Sequence, residues 1–253
     1  MVYDLQKASL WKRIAAWMFD MIIAGVLAVG IGMLLSGLLD YNSYNGTLEQ
    51  AYTKYEAEYG IRFEISQEEY QSLSPEIREK YERAAKALNA EEDVVLAYNM
   101  VVRLSLLITT LGILAAVLIW EFAIPLFLGN GQTLGKKIFG LCLVRTDGVR
   151  VNNLQLFTRA LLGKFTIETM IPIYIIMMLF WGIMDVTGTL ILLGLLIAEI
   201  AAIAVTRTNS ALHDLLAGTA VVNIDSQMIF RSAEERIEYQ KKVAAEKAAR
   251  QTY

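Results

Sequence analysis

The chain has 253 residues, of which 55% are hydrophobic, and its mean hydropathy is +0.42 with a formal charge of −3. Its apolar residues are gathered in long blocks, which excludes an ordinary soluble domain and makes the bilayer the expected solvent. The single cysteine, Cys142, excludes an intramolecular disulfide, and one histidine, His213, without a Cys pair argues against a multi-His zinc centre.

The first block, residues 14–39, is long enough to cross a bilayer that needs about 20 helical residues. It is too long for the core of a secretory signal and holds Asp20, so it reads as a retained span. Ala24, Ala28, Gly32 and Ser36 recur every four positions, a spacing that lets helices approach closely. Residues 1–40 thus form the N-terminus and first span.

Residues 41–103 form an acidic, helical insertion outside the membrane. Between Asp40 and Val102 thirteen acidic residues face six basic ones. Ser66 and Glu69 have capping-box spacing, and Ser74 with Pro75 marks the start of another helix. Glu79–Arg83 and Glu82–Lys86 are opposite charges four apart, suited to a solvated helix face. No ligand-spaced cluster occurs in this insertion.

The second span covers 104–128, with Pro125 near its end either loosening the helix beside Glu121 or terminating it. The loop 129–164 carries Lys136, Lys137, Arg145, Arg150, Arg159 and Lys164 against Asp147 alone. Its "GNGQTLGKK" lacks phosphate-loop spacing and the hydroxyl after Gly-Lys, so nucleotide binding is not expected. "LCLVRTDGVRV" suits a β-hairpin turning at Asp147-Gly148, both with positive φ, and "TAVVNID" adds a strand beside it.

Residues 165–205 hold two spans, 165–184 and 188–205, broken by Asp185 with Val186-Thr187-Gly188. The last is short, so three spans with a re-entrant hairpin stand as the alternative. In residues 206–225, Asn209 or Ser210 caps a short interfacial helix that carries His213 and Asp214 and ends at Gly218. Residues 226–253 form a charged tail whose helix starts with Ser232 and Glu235 at capping-box spacing. The fold class expected is an all-α polytopic membrane protein, a four-helix bundle with the helical insertion and a small β-hairpin. Basic residues collect at one set of span ends, which puts both termini and the hairpin in the cytoplasm.

Arg13 with Asp20, "GQTLGKKIFGL" and "HDLLAGTAVV" together resemble the RDD family of bacterial integral membrane proteins, named for an arginine and two aspartates. The resemblance covers roughly 10–40 and 104–224 and aligns the name-giving residues with Arg13, Asp20 and Asp214. It implies a multi-pass protein of the bacterial inner membrane, for which transport is often proposed. The insertion, the tail and the fourth span depart from the family's simpler pattern.

Asp20, Glu121, Glu168 and Glu199 all fall in the cytoplasmic half of the bilayer on this topology, with His213 at the same end. Ionisable groups at membrane depth commonly mark ion paths and persist when paired. They are the candidate ion or proton site, with Arg13, Arg159, Lys164 and Arg207 as charge partners; Asp20 and Glu121 are central. Two readings follow: transport of a small ion or solute, including cation/proton exchange, or a scaffold whose insertion and tail bind partners. A set of ion pairs stapling the helices together is the structural alternative. No nucleophile–base constellation appears, so no enzyme, catalytic residue, metal or cofactor is expected. The partners expected are the lipid bilayer, a small cation or proton and a second copy of the chain, with no nucleic acid.

Overall fold

The computed structural model describes residues 4–180, 182 and 186–251. Asp185, assigned to the turn between the last two spans, lies outside them. The chain divides into two units, one of residues 29–112 and one of residues 1–28 with 113–253. Among the described residues four helical runs are long and apolar enough to cross a membrane: Leu10–Leu38, Glu92–Leu128, Asn153–Leu179 and Val186–Val205. The second begins 12 residues before the expected 104, and the third begins 12 residues before 165. Apolar runs mark the lipid-facing core of a span, whereas the helix extends past it wherever caps and side chains allow.

The smaller unit takes the end of α1 (Leu10–Leu38), then α2 (Tyr41–Tyr59), α3 (Gln67–Ser72), α4 (Pro75–Ala90) and the start of α5 (Glu92–Val117). Local rules account for its boundaries. Asp40 turns the chain at φ 53° and Gly60 closes α2 at φ 66°. Ser66 and Glu69 form the expected capping box, and Ser74 caps α4 with Pro75 at its first turn. Leu48, Ala51, Tyr55, Leu88, Val94 and Ala97 form its core. Phe63 packs on Tyr52 and Tyr81 at centroid distances of 5.5 Å, a spacing typical of tilted aromatic pairs. The Glu79–Arg83 pair forms at 2.5 Å. Glu82 instead accepts from the Tyr70 hydroxyl, and among the described residues no ion pair joins it to Lys86.

The larger unit is organised on β1 (Leu141–Arg145) and β2 (Thr219–Asn223), antiparallel with Cys142 opposite Val222 and Val144 opposite Ala220. Alternation gives the ribbon two buried faces. Leu141, Leu143 and Val221 pack on Ala8, Ala16 and Leu156, while Cys142, Val144 and Val222 pack on Leu5, Ile224 and Ile229. Burial pushes the Cys142 thiol up to about 12, so it behaves as a small apolar side chain. The Asp147-Gly148 turn forms, but only Gly148 takes positive φ, and its return limb is a single bridge from Val144 to Arg150. β2 supplies the strand that pairs along β1.

The helices of this unit are α6 (Ile124–Leu128), α7 (Leu134–Ile138), α8 (Asn153–Thr158), α9 (Ile171–Phe180), α10 (Val186–Val205), α11 (Leu212–Ala217) and α12 (Ala233–Gln251). Two π-helical stretches, Leu118–Ala123 and Arg159–Met170, lie just before α6 and α9. Each is followed within two residues by a proline, Pro125 or Pro172. A proline offers no N–H to the carbonyl four residues back, which belongs to Glu121 in one case and Glu168 in the other. Bonding five residues back recovers the ladder: Ile124 donates to Ile119 and Ile171 to Thr166. In α12, Glu235 N–H donates to Ser232, but the Glu235 carboxylate accepts from Arg231 rather than closing the box.

Candidate functional site

Asp20 answers its burial through the motif "QTLGKK". Its carboxylate accepts from the Trp120 indole at 3.0 Å, the Thr133 hydroxyl at 2.5 Å and the Gly135 amide at 2.9 Å. Thr133 also caps α7, whose Lys136 ammonium lies 4.0 Å from Asp20. Gly135 is required by proximity: a Cβ there would strike the Ala16 carbonyl and come within 2.9 Å of the Asp20 carboxylate. Burial pushes Lys136 down to about 8, against the pull of Glu121 and Asp20.

From Lys136 the network runs on through Glu121, 3.5 Å away. Glu121 also binds the Arg159 guanidinium at 2.8 Å and the Lys164 ammonium. The π stretch makes this double contact possible. An α-helix turns about 100° per residue, which would swing Lys164 roughly 140° from Arg159. Closure at the fifth residue instead brings positions five apart to one face.

Arg159 is the hub. Its Nε donates to Asp214 at 2.9 Å and its Nη2 to the His213 Nε2 at 2.8 Å. Asp214 also meets Arg13 at 3.4 Å and accepts from Thr219 at 3.2 Å. Arg13 donates further to the carbonyls of Thr208 and Asn209. Burial acts to raise the Asp214 carboxyl, but the Arg159 and Arg13 guanidiniums outweigh it and hold it below the usual range. Asp20 and Arg13 are therefore the ends of one chain of contacts, with Asp214 the link next to Arg13: Asp20, Lys136, Glu121, Arg159, Asp214, Arg13.

A different arrangement holds Glu168 and Glu199. The expected cap of the short helix, Asn209 or Ser210, is not used; Ala211 occupies that position and gives no side-chain bond. The exposed amides of α11 turn instead to the spans. Leu212 N–H donates to Glu199 at 3.1 Å and His213 N–H to Glu168 at 3.1 Å. The His213 ring adds a 2.6 Å bond from Nδ1 to Glu168. Because a guanidinium can only donate, Nε2 accepts from Arg159 and the ring proton sits on Nδ1. Burial lowers the His213 pKa, with Arg159 adding to it, which suits this neutral ring. Gly163 allows the approach, since a Cβ there would lie 2.7 Å from the His213 Cα.

Glu168, Glu199 and His213 offer ligand atoms within 4.8 Å of one another, the set best placed to hold an ion. Both ring nitrogens are already engaged, so a metal would have to displace either the proton on Nδ1 or the Arg159 bond. Among the described residues Glu199 forms no ion pair, and Glu168 has only the neutral ring. Four basic side chains (Arg13, Lys136, Arg159, Lys164) thus share the site with five carboxylates (Asp20, Glu121, Glu168, Glu199, Asp214).

These groups wall a cavity of about 530 Å³. Its polar lining combines Asp20, Glu168, Glu199 and His213 with the cations Arg13, Lys136, Arg159 and Lys164, and Trp17, Leu192, Leu195 and Leu196 are among its apolar lining. Of the residues expected at the site, Glu121 is buried in the network behind it, and Arg207 is exposed with no ion pair among the described residues. Sequence reasoning missed Trp120, Thr133, Gly135, Lys136 and Gly163. Pro172 was the available signal for the second π stretch, standing four residues beyond Glu168 as Pro125 stands beyond Glu121.

The family model described as RDD family matches residues 7–218. No curated protein and no solved structure matches the chain.

Proposed function

We propose that this chain, which belongs to the RDD family of membrane proteins, moves a small cation or solute across the bilayer, with proton exchange at the cavity wall. The observation that carries the reading is the pair Glu168 and Glu199, close together in two of the spans and, among the described residues, in no ion pair with a lysine or arginine. Two carboxylates in a low-dielectric site repel unless a proton or another cation joins them. The remaining acids, Asp20, Glu121 and Asp214, are saturated by hydrogen bonds and ion pairs, and we assign them to holding the helices in place. The protein is read as non-enzymatic. The excess of Lys and Arg in the hairpin segment supports a bacterial inner-membrane orientation with both termini in the cytoplasm.

The test is ion flux in proteoliposomes under imposed sodium, potassium and proton gradients. Flux abolished by Glu199→Gln in a folded protein is the expected result. Flux equal in wild type and Glu199→Gln would overturn the assignment. No flux in wild type, joined to a stable partner recovered by cross-linking through residues 45–95, would favour a scaffold built on the smaller unit's own core.

A further inference from the structure

We infer that the cavity binds an organic ammonium ion with an apolar body, recognised by Glu168 and Glu199 at one end and by the aliphatic wall of α10 at the other. The inference deepens the cation reading and rests on it. A bare cation uses only a corner of this space. At about 530 Å³ the cavity is in the range, roughly 300–1,000 Å³, that holds drug-sized molecules. Its lining is amphipathic: Leu192, Leu195 and Leu196 lie on α10 one to two turns before Glu199, and Ile14 and Trp17 of α1 join them. An apolar body removed from water against such a surface gains about 25 cal/mol per Å².

The polar end suits N–H donors better than a metal. His213 has no lone pair to give, because Nε2 accepts from Arg159 and Nδ1 donates to Glu168. The carboxylates of Glu168 and Glu199 lie close enough for one ammonium to donate to both. The cations on the cavity wall, Arg13, Lys136, Arg159 and Lys164, are engaged by Asp20, Glu121 and Asp214, which leaves Glu168 and Glu199 to set the sign of the charge selected. Trp17, half-exposed and on the cavity wall, reports occupancy through its fluorescence.

The experiment is equilibrium dialysis of labelled 3,3-diphenylpropylammonium against the full chain in lipid nanodiscs at neutral pH. Its charge-reversed analogue, 3,3-diphenylpropanoate, and empty nanodiscs serve as controls. Saturable binding is expected for the ammonium alone, weakened about tenfold or more by Glu199→Gln through loss of a charged hydrogen bond. Leu195→Trp, which narrows the cavity and leaves the carboxylates in place, weakens it as well. Trp17→Phe removes the fluorescence change and retains saturable binding. Equal uptake of ammonium and propanoate, or equal uptake by wild type and Glu199→Gln, means partition into lipid and overturns the inference. Cation flux that depends on Glu199 without ammonium binding sinks the inference and leaves the transport reading standing. Ammonium binding without flux of any cation does the reverse.

Discussion

Two ion pairs of similar length show how differently the two units use charge. In the smaller unit Lys54 meets Glu91 at 2.6 Å, with side chains 58% and 40% exposed. In the larger unit Arg159 meets Asp214 at 2.9 Å, with side chains 4% and 0% exposed. Water screens the first pair and competes for both partners, so its geometry contributes little. The second has no water to fall back on, and each member depends on the other for its charge to be tolerated. Distance alone does not rank such contacts; what would remain after one partner is removed does.

The sharpest test of that contrast is Arg159→Met, which leaves Glu121 and Asp214 buried around an absent hub. A loss of about 3–5 kcal/mol is expected, visible as collapse of folded yield or of the thermal midpoint in detergent. A loss under about 1 kcal/mol would mean that the network is not a unit. Next come Gly163→Ala and Gly135→Ala, whose new Cβ atoms enter occupied space beside His213 and Ala16. Overpacking of this kind costs about 1–3 kcal/mol, read from the same melts. In the smaller unit Ser66→Ala removes one side of the capping box and is expected to cost about 1 kcal/mol. The smallest effect belongs to Arg83→Ala, at an exposed pair, within about 0.5 kcal/mol of wild type.

Acid separates the units by another route. His213 has a pKa lowered in the folded chain, so the unfolded chain binds that proton first, and stability falls as pH drops through about 6.5. Asp214, also lowered, adds a contribution fully present above about 3.9 and lost as pH falls toward its depressed value. Both act in the same direction, and both sit in the larger unit. Thermal melts from pH 7 downward should therefore show destabilisation beginning near pH 6.5. His213→Gln should remove that first step, and persistence of the step would reassign it to another group.

The smaller unit was largely legible because its determinants are local. Ser66, Glu69, Ser74 and Pro75 act on residues within one turn, and their spacing carries the information. The same holds for the four spans, which follow from composition, though their ends do not. The site resisted for the opposite reason. Asp20 and Glu121 were recognisable as costly, but their partners Thr133, Lys136 and Arg159 come from distant segments. Glu168 and Glu199 read as acids in the cytoplasmic half of the bilayer, yet they also satisfy backbone amides of a helix that lacks its own cap. That neither forms an ion pair with a lysine or arginine among the described residues is a fact of arrangement that no spacing along the chain reveals.

The long π stretch Arg159–Met170 makes the length of that segment matter apart from its chemistry. Rings closed at the fifth residue hold more residues per turn than an α-helix does, so the segment stores extra chain without extra reach. Deleting one residue between Arg159 and Lys164 would shorten that reserve and turn every downstream position by somewhat less than the roughly 100° of an α-helical residue. Lys164 would leave Glu121 and Glu168 would leave the His213 ring, although no side chain in either contact had been changed. A substitution at most positions here alters one contact, whereas a single-codon deletion puts the whole face out of phase.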